Sequence, residues 1–192
     1  MSKLSENTNR IQGLLNDISA LPKDRYEEGV ITGGAKLRSI VNRSITEITA
    51  EDLEGITEIG QYAFYLCSKL EEVELVEGIT KIGNNAFKGC VIKSIIIPDS
   101  VTEIGSYAFH ACVKLDSIVI GGSVESIGSY AFQFCSALSI TVKANIPPTI
   151  QSNTFANVPA ERPIYVPSES VEAYKTATNW SARADYIFAI EE

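Results

Sequence analysis

One pattern recurs four times in register along this chain: ITEIGQYAFYLCSKLEEVEL from Ile56, ITKIGNNAFKGCVIKSIII from Ile79, VTEIGSYAFHACVKLDSIVI from Val101 and VESIGSYAFQFCSALSITV from Val124. The shared Phe falls at Phe64, Phe87, Phe109 and Phe132, at intervals of 23, 22 and 23 residues. Eight apolar positions held at one period mean stacked units, none of which can bury its apolar face alone. A fifth, eroded copy keeps Ile150, Phe155, Ile164 and Val166. Upstream, Ile45, Ile48 and Leu53 repeat the same offsets in shortened form, behind Leu37 and Ile40.

Each unit reads physically. The stretches Leu70, Val73, Leu75 and Leu115, Ile118, Ile120 end in period-two alternation, the mark of a half-buried strand. The I-x-x-I-G that follows is expected to turn a corner, with Gly60, Gly83, Gly105 and Gly128 supplying the permissive backbone. The next stretch, x-x-A-F-x-x-C, is expected to form a short helical or 3₁₀ turn with Ala and Phe inward. Ala is small there because the ring of the same turn fills the space beside it. One Phe per coil then stacks into a spine. Right-handed coiling by about 4.8 Å per turn gives the fold class: an α/β repeat solenoid with a parallel sheet on one face, an N-terminal helix and a C-terminal cap.

The full pattern, I-x-x-I-G-x-x-A-F-x-x-C-x-x-L-x-x-V-x-L, resembles the BspA-type leucine-rich repeat of bacterial surface and host-associated proteins. The likeness covers residues 37–166, and IYVPSESVEAYKTATNWSARADYIFAI from Ile164 resembles the terminal cap seen in that family. The resemblance implies a leucine-rich-repeat solenoid that binds protein or matrix and does no catalysis.

Both ends of such a stack need covering, because a terminal coil exposes apolar side chains and strand edges. In residues 167–192, Ser168 is expected to cap a helix with Glu169 and Glu172 in its first turn. Val171, Tyr174 and Trp180 are expected to lie on the last coil, and DYIFAI to add a short strand. In residues 1–22, Leu4, Ile11 and Ile18 recur every seven residues, as do Leu14 and Leu21. Such a stripe predicts a helix ended by Pro22, marginal alone because of Gly13. It packs either on another copy of itself, giving a homo-oligomer through residues 1–22, or on the first repeat as a lid. Residues 23–36 read as a polar linker around Gly33-Gly34.

Composition excludes several function classes. The net charge of −8 argues against nucleic acid and anionic membranes as partners. No apolar run is long enough for membrane insertion. The N-terminus lacks an apolar h-region, so with Met1 as natural start a cytoplasmic or phage- or virion-associated location is expected rather than secretion. His110 is the single histidine and reads as a solvated loop residue, which leaves no triad to assemble. The doublets Gly33-Gly34 and Gly121-Gly122 lack phosphate-loop spacing. Glu58, Glu103 and Glu125 recur beside one repeat slot, as a solvated row would. No catalytic residues, cofactor or metal are therefore expected. Cys67, Cys90, Cys112 and Cys135 share one slot, so their sulfurs form a column spanning roughly 14 Å. Zinc needs its ligands within about 2.3 Å of one point, so one shared site is excluded. A buried ladder of reduced thiols is expected.

The remaining reading is non-enzymatic recognition of a protein or surface-glycan partner. The alternative is a structural, oligomerising part of a larger assembly, such as a phage-tail or fibre accessory protein. Outward strand positions make the candidate face: Glu72 and Glu74, Ser94 and Ile96, Ser117 and Val119, Ser139 and Thr141. Ile96 and Val119 place apolar side chains where the repeat requires none, an apolar spot rimmed by Glu and Ser. The row Tyr62, Tyr107 and Tyr130 is the second candidate.

Overall fold

The computed structural model describes residues 35–37, 45–135 and 138–191. Within them the strands run β1 (Ala35–Leu37), β2 (Glu47–Ile48), β3 (Ile56–Ile59), β4 (Glu72–Val73), β5 (Lys81–Ile82), β6 (Ser94–Ile96) and β7 (Glu103–Ile104). They continue as β8 (Ser117–Ile120), β9 (Ser126–Ile127), β10 (Ser139–Val142), β11 (Thr149–Ile150), β12 (Ile164–Val166) and β13 (Ile187–Ala189). Each is short because the 23-residue coil leaves a strand only as long as one side of the coil. Every pairing is parallel and joins residues one repeat apart, as Ile82↔Ile104↔Ile127 shows. The chain is a repeat solenoid.

The expected single sheet is in fact accompanied by a second. The L-x-x-V-x-L strands form a five-stranded sheet in the order β13-β12-β10-β8-β6, with β2 and β4 as a separate pair. The I-x-x-I segments, expected to be corners, build a six-stranded sheet, β1-β3-β5-β7-β9-β11. That sheet opens at Ala35, inside the stretch read as linker. Corner and strand are compatible because each of these strands contributes few residues before the chain bends away.

The x-x-A-F-x-x-C stretch corrects a second expectation, since it is neither α nor 3₁₀ helix. Its amides alternate. Those of Ala63, Tyr65 and Cys67 close turns within the coil on the carbonyls of Gly60, Tyr62 and Phe64 at 3.1–3.2 Å. Those of Tyr62, Phe64 and Leu66 reach the carbonyls of Asn84, Ala86 and Lys88 in the next coil at 2.7–3.0 Å. Alternation of this kind requires left-handed backbone at Tyr62 and Leu66, with φ of 60° and 56°. The same two slots have positive φ at Asn85 and Gly89, Tyr107 and Ala111, Tyr130 and Phe134.

Here too the glycines find their reason, which is not the one the sequence suggested. Gly83, Gly105 and Gly128 do not have positive φ. A Cβ on Gly83 would lie 2.6 Å from the amide nitrogen of Gln61, one on Gly105 2.7 Å from that of Asn84, and one on Gly128 2.4 Å from that of Ser106. Glycine at this slot lets neighbouring coils touch backbone to backbone.

The rings of Phe64, Phe87, Phe109, Phe132 and Phe155 stack with centroids 4.9, 5.2, 5.6 and 5.6 Å apart and planes within 10° of parallel. Beside this spine the four cysteines are buried as thiols. The Cys90, Cys112 and Cys135 thiols donate to the carbonyls of Phe64, Phe87 and Phe109 at 3.1, 3.1 and 3.2 Å.

After β12, Ser168–Ser170 makes a 3₁₀ turn and the helix α1 (Val171–Thr176) begins later than Ser168. Ser170 stands at the start of the helix, but its buried hydroxyl donates to the carbonyl of Asn145 and caps no amide of the helix. Tyr174 and Trp180 are fully buried, and Val171 packs against the core. The Tyr174 hydroxyl donates to the Ala144 carbonyl and the Trp180 indole to that of Pro148, both at 2.8 Å. Strand β13 joins β12, as DYIFAI suggested. The heptad stripe of residues 1–22 lies outside the described residues. No helix among the described residues is long and apolar enough to cross a membrane.

Candidate recognition faces

On the five-stranded sheet, the inward residues Ile95, Ile118, Ile140, Ile164 and Ile187 are buried, which turns their neighbours outward. Two outward rows result. Ser94, Ser117 and Ser139 pair across the strands, and so do Ile96, Val119 and Thr141. The second row does not stop at Thr141, because Thr141 pairs with Tyr165 and Tyr165 with Phe188. Ile96 is 64% exposed and Phe188 46%. The Tyr165 and Phe188 rings lie 6.3 Å apart. Five outward positions thus carry side chains that are apolar, aromatic or, at Thr141, half apolar.

The structure brings six of the eight expected residues onto one sheet and separates two. Glu72 belongs to the β2–β4 pair, across from Glu47, and the Glu74 amide bonds to Ile48. Both glutamates are exposed. They stand beside the apolar row as its acidic flank. At the same edge Lys93 donates to Glu71 at 2.6 Å, which holds the Glu71 carboxyl below its usual range and the Lys93 ammonium above its own. The row of Glu58 and Glu103, read as a solvated one, also carries Lys81, which pairs with Glu58 on one side and Glu103 on the other, with a 2.6 Å ion pair to Glu103.

Tyr165 and Phe188 were missed in the sequence. Their signal was present, since Ile164-Tyr165-Val166 and Ile187-Phe188 both alternate inward and outward. What could not be read was that β13 would dock beside β12 and prolong the row.

The turn stretches form a second face. Tyr107 and Tyr130 stack at 5.0 Å, and Tyr62 meets Tyr65 edge-on at 5.4 Å. The Lys88 ammonium lies 6.0 Å from the Tyr65 ring centre and 5.3 Å from that of Tyr107. His110, expected to be a solvated loop residue, instead contacts Tyr107 and meets Phe134 edge-on at 5.6 Å. Burial, and secondarily the charge of Lys88, lowers its pKa.

A model of the BspA type leucine rich repeat region matches residues 39–161 in six copies. The chain belongs to this BspA-type family. No curated protein matches it. Among solved structures, the BspA-type chain is similar to the pneumococcal vaccine antigen PcpA, at 23% identity over 84% of this chain and 42% of that one, with a TM-score of 0.59. A leucine-rich repeat protein from Bacteroides ovatus ATCC 8483 aligns at 23% identity over 65% of this chain and 40% of that one, with a TM-score of 0.29. The chain thus spans less than half the length of either solved structure. Among the described residues of this BspA-type solenoid, no group of acidic, histidine or cysteine side chains is arranged to hold a metal ion.

Proposed function

We propose that this BspA-type solenoid is a non-enzymatic recognition scaffold that binds a protein partner through the outward face of its five-stranded sheet. The observation that carries this reading is the row Ile96, Val119, Thr141, Tyr165 and Phe188, aligned strand by strand on a surface where the fold asks for nothing apolar. An apolar centre rimmed by Ser94, Ser117 and Ser139 and flanked by Glu72 and Glu74 has the anatomy of a protein interface, an apolar core within a polar rim. Tyr165 and Phe188 are its natural anchors, because aromatics dominate interface energies. Its rigidity comes from the parallel ladders beneath it, so little ordering is required on binding. The segment 167–192 serves the same scaffold as its C-terminal cap and lends Phe188 to the face.

The test is the double substitution Ile96→Asp with Val119→Asp in the full chain. Both side chains point outward, so the melting temperature should change little while affinity for a captured protein partner falls by more than about tenfold. Undiminished affinity would remove the strand face from the function.

A further inference from the structure

We infer that strand β13 is an acceptor edge, to which a partner polypeptide adds one more strand: an extended apolar or β-branched segment flanked by lysine or arginine. The first observation is a contrast between two sheet edges at the same end of the solenoid. Successive residues of a strand turn their N–H and C=O groups to opposite neighbours. In β11, Thr149 donates to Glu125 of the coil before, so the carbonyls of Pro148 and Ile150 point away from the sheet. The cap closes that edge. The Trp180 indole donates to Pro148 at 2.8 Å and the Asn179 amide to Ile150 at 2.7 Å.

Strand β13 is treated differently. Its Ile190 amide donates to Val166 of β12 at 2.8 Å, so Phe188 and Ile190 face β12 while Ile187 and Ala189 face the other way. The Ile187 amide is spent on the Ala184 carbonyl. The Ile187 carbonyl and both polar groups of Ala189 are left along an edge that no further strand of the described residues joins. Phe188, Ala189 and Ile190 are all exposed there. Edge strands are ordinarily blunted by Lys, Pro or a bulge. Residues 185–191, DYIFAIE, hold no lysine or proline, and β13 keeps unbroken register with β12. Free main-chain groups beside exposed apolar side chains are what strand addition uses, the backbone supplying affinity and alternate side chains specificity.

The second observation is charge, and it selects the occupant. The run from Tyr186 to Ile190 is bounded by Asp185 and Glu191. A second copy pairing antiparallel about Phe188 would set Asp185 opposite Glu191 twice, and like charges directly opposite destabilise a sheet. The edge therefore rejects its own kind and suits a strand with cations at its ends.

The experiment titrates the full chain into the fluorescently labelled peptides KKVTVTVKK and EEVTVTVEE and reads anisotropy, with amide hydrogen exchange followed at Ala189. Expected is binding of the cationic peptide at least about tenfold tighter than of the acidic one, with slowed exchange at Ala189. Ala189→Pro removes an amide that bonds to no neighbour strand, so it should weaken binding about tenfold or more at a little-changed melting temperature. Asp185→Lys with Glu191→Lys should reverse the preference between the peptides. The cationic peptide with every core amide N-methylated should not bind, an outcome independent of how any variant folds. Absence of binding, equal binding of the methylated peptide, indifference to Ala189→Pro or an unreversed preference would each overturn the inference. Ile96→Asp with Val119→Asp should bind the peptide like the parent chain; loss there would place the peptide on the strand face instead. Failure of that face to bind a protein leaves these outcomes readable on their own.

Discussion

The thiol column is a consequence of period and packing at single residues. Each cysteine sits where the Phe turn closes, and the sulfurs of Cys90, Cys112 and Cys135 reach the carbonyl of the Phe one coil back. Burial pushes the thiols of Cys90 and Cys112 far above their usual range and that of Cys135 up to about 12. An acid whose folded pKa is raised keeps its proton after the unfolded chain has released it, so above about pH 8.5 the unfolded state binds fewer protons. Stability therefore falls as pH rises, by at most about 1.4 kcal/mol per pH unit for each such thiol. Melting curves recorded between about pH 8 and pH 10 should show this, and Cys112→Ala should have the shallower slope. Iodoacetamide should label the thiols slowly until denaturant is added; rapid native labelling would contradict the ladder. In the spine, Phe87 lies between rings on both sides, and Phe87→Ala is expected to cost about 3–5 kcal/mol. Gly128→Ala forces a methyl against the Ser106 backbone, where nothing flexible can yield, and is expected to cost about 1–3 kcal/mol in chemical denaturation.

At the scale of elements, the C-terminal segment is decisive for the last coil. Phe155 ends the spine, and the Trp180 ring covers it at 5.6 Å while Tyr174 packs edge-on against Trp180. Arg183 adds hydrogen bonds to the carbonyls of Pro159, Phe155 and Val158. Trp180→Ala should therefore cost about 3–5 kcal/mol, and deletion of residues 167–192 should yield an aggregating chain, read by light scattering. Trp180 is the chain's single tryptophan, so its fluorescence reports this contact directly. A soluble truncated chain of unchanged melting temperature would deny the segment its capping role. Much of this element was legible: the burial of Tyr174 and Trp180 and the strand in DYIFAI all followed from apolar spacing. The helix start was not, since no side-chain cap marks it: the Ser170 hydroxyl is claimed by Asn145, a residue 25 positions away.

For the whole molecule, a stack in which each coil touches only its neighbours behaves as a one-dimensional array, and its ends govern cooperativity. The heptad stripe of Leu4, Ile11, Ile18, Leu14 and Leu21 bears on one end. A lid needs an apolar stripe but not a strict seven-residue repeat, whereas a coiled coil needs both. Self-association through residues 1–22 predicts an oligomer at micromolar concentration that becomes a soluble monomer when those residues are removed, measured by light scattering. A full-length monomer that loses stability on truncation would assign the segment to the lid.

The period, the inward Ile, Ala, Phe and Cys, the outward strand residues and the thiol column were all determined by the sequence alone, because each follows from which positions repeat as apolar. A solenoid makes this possible, since a residue's neighbours are its own counterparts one repeat away. What only the tertiary structure decided concerns the backbone between coils. Whether I-x-x-I is a corner or a ladder depends on hydrogen bonds to another coil, not on side-chain polarity. The need for Gly83, Gly105 and Gly128 arises from a clash with the preceding coil, and no local turn signal announces it. The left-handed slots of Tyr62, Tyr107 and Tyr130 are imposed by amides that must point alternately within and across coils. Side-chain pattern states what is buried; the spacing of stacked backbones decides the conformation that buries it.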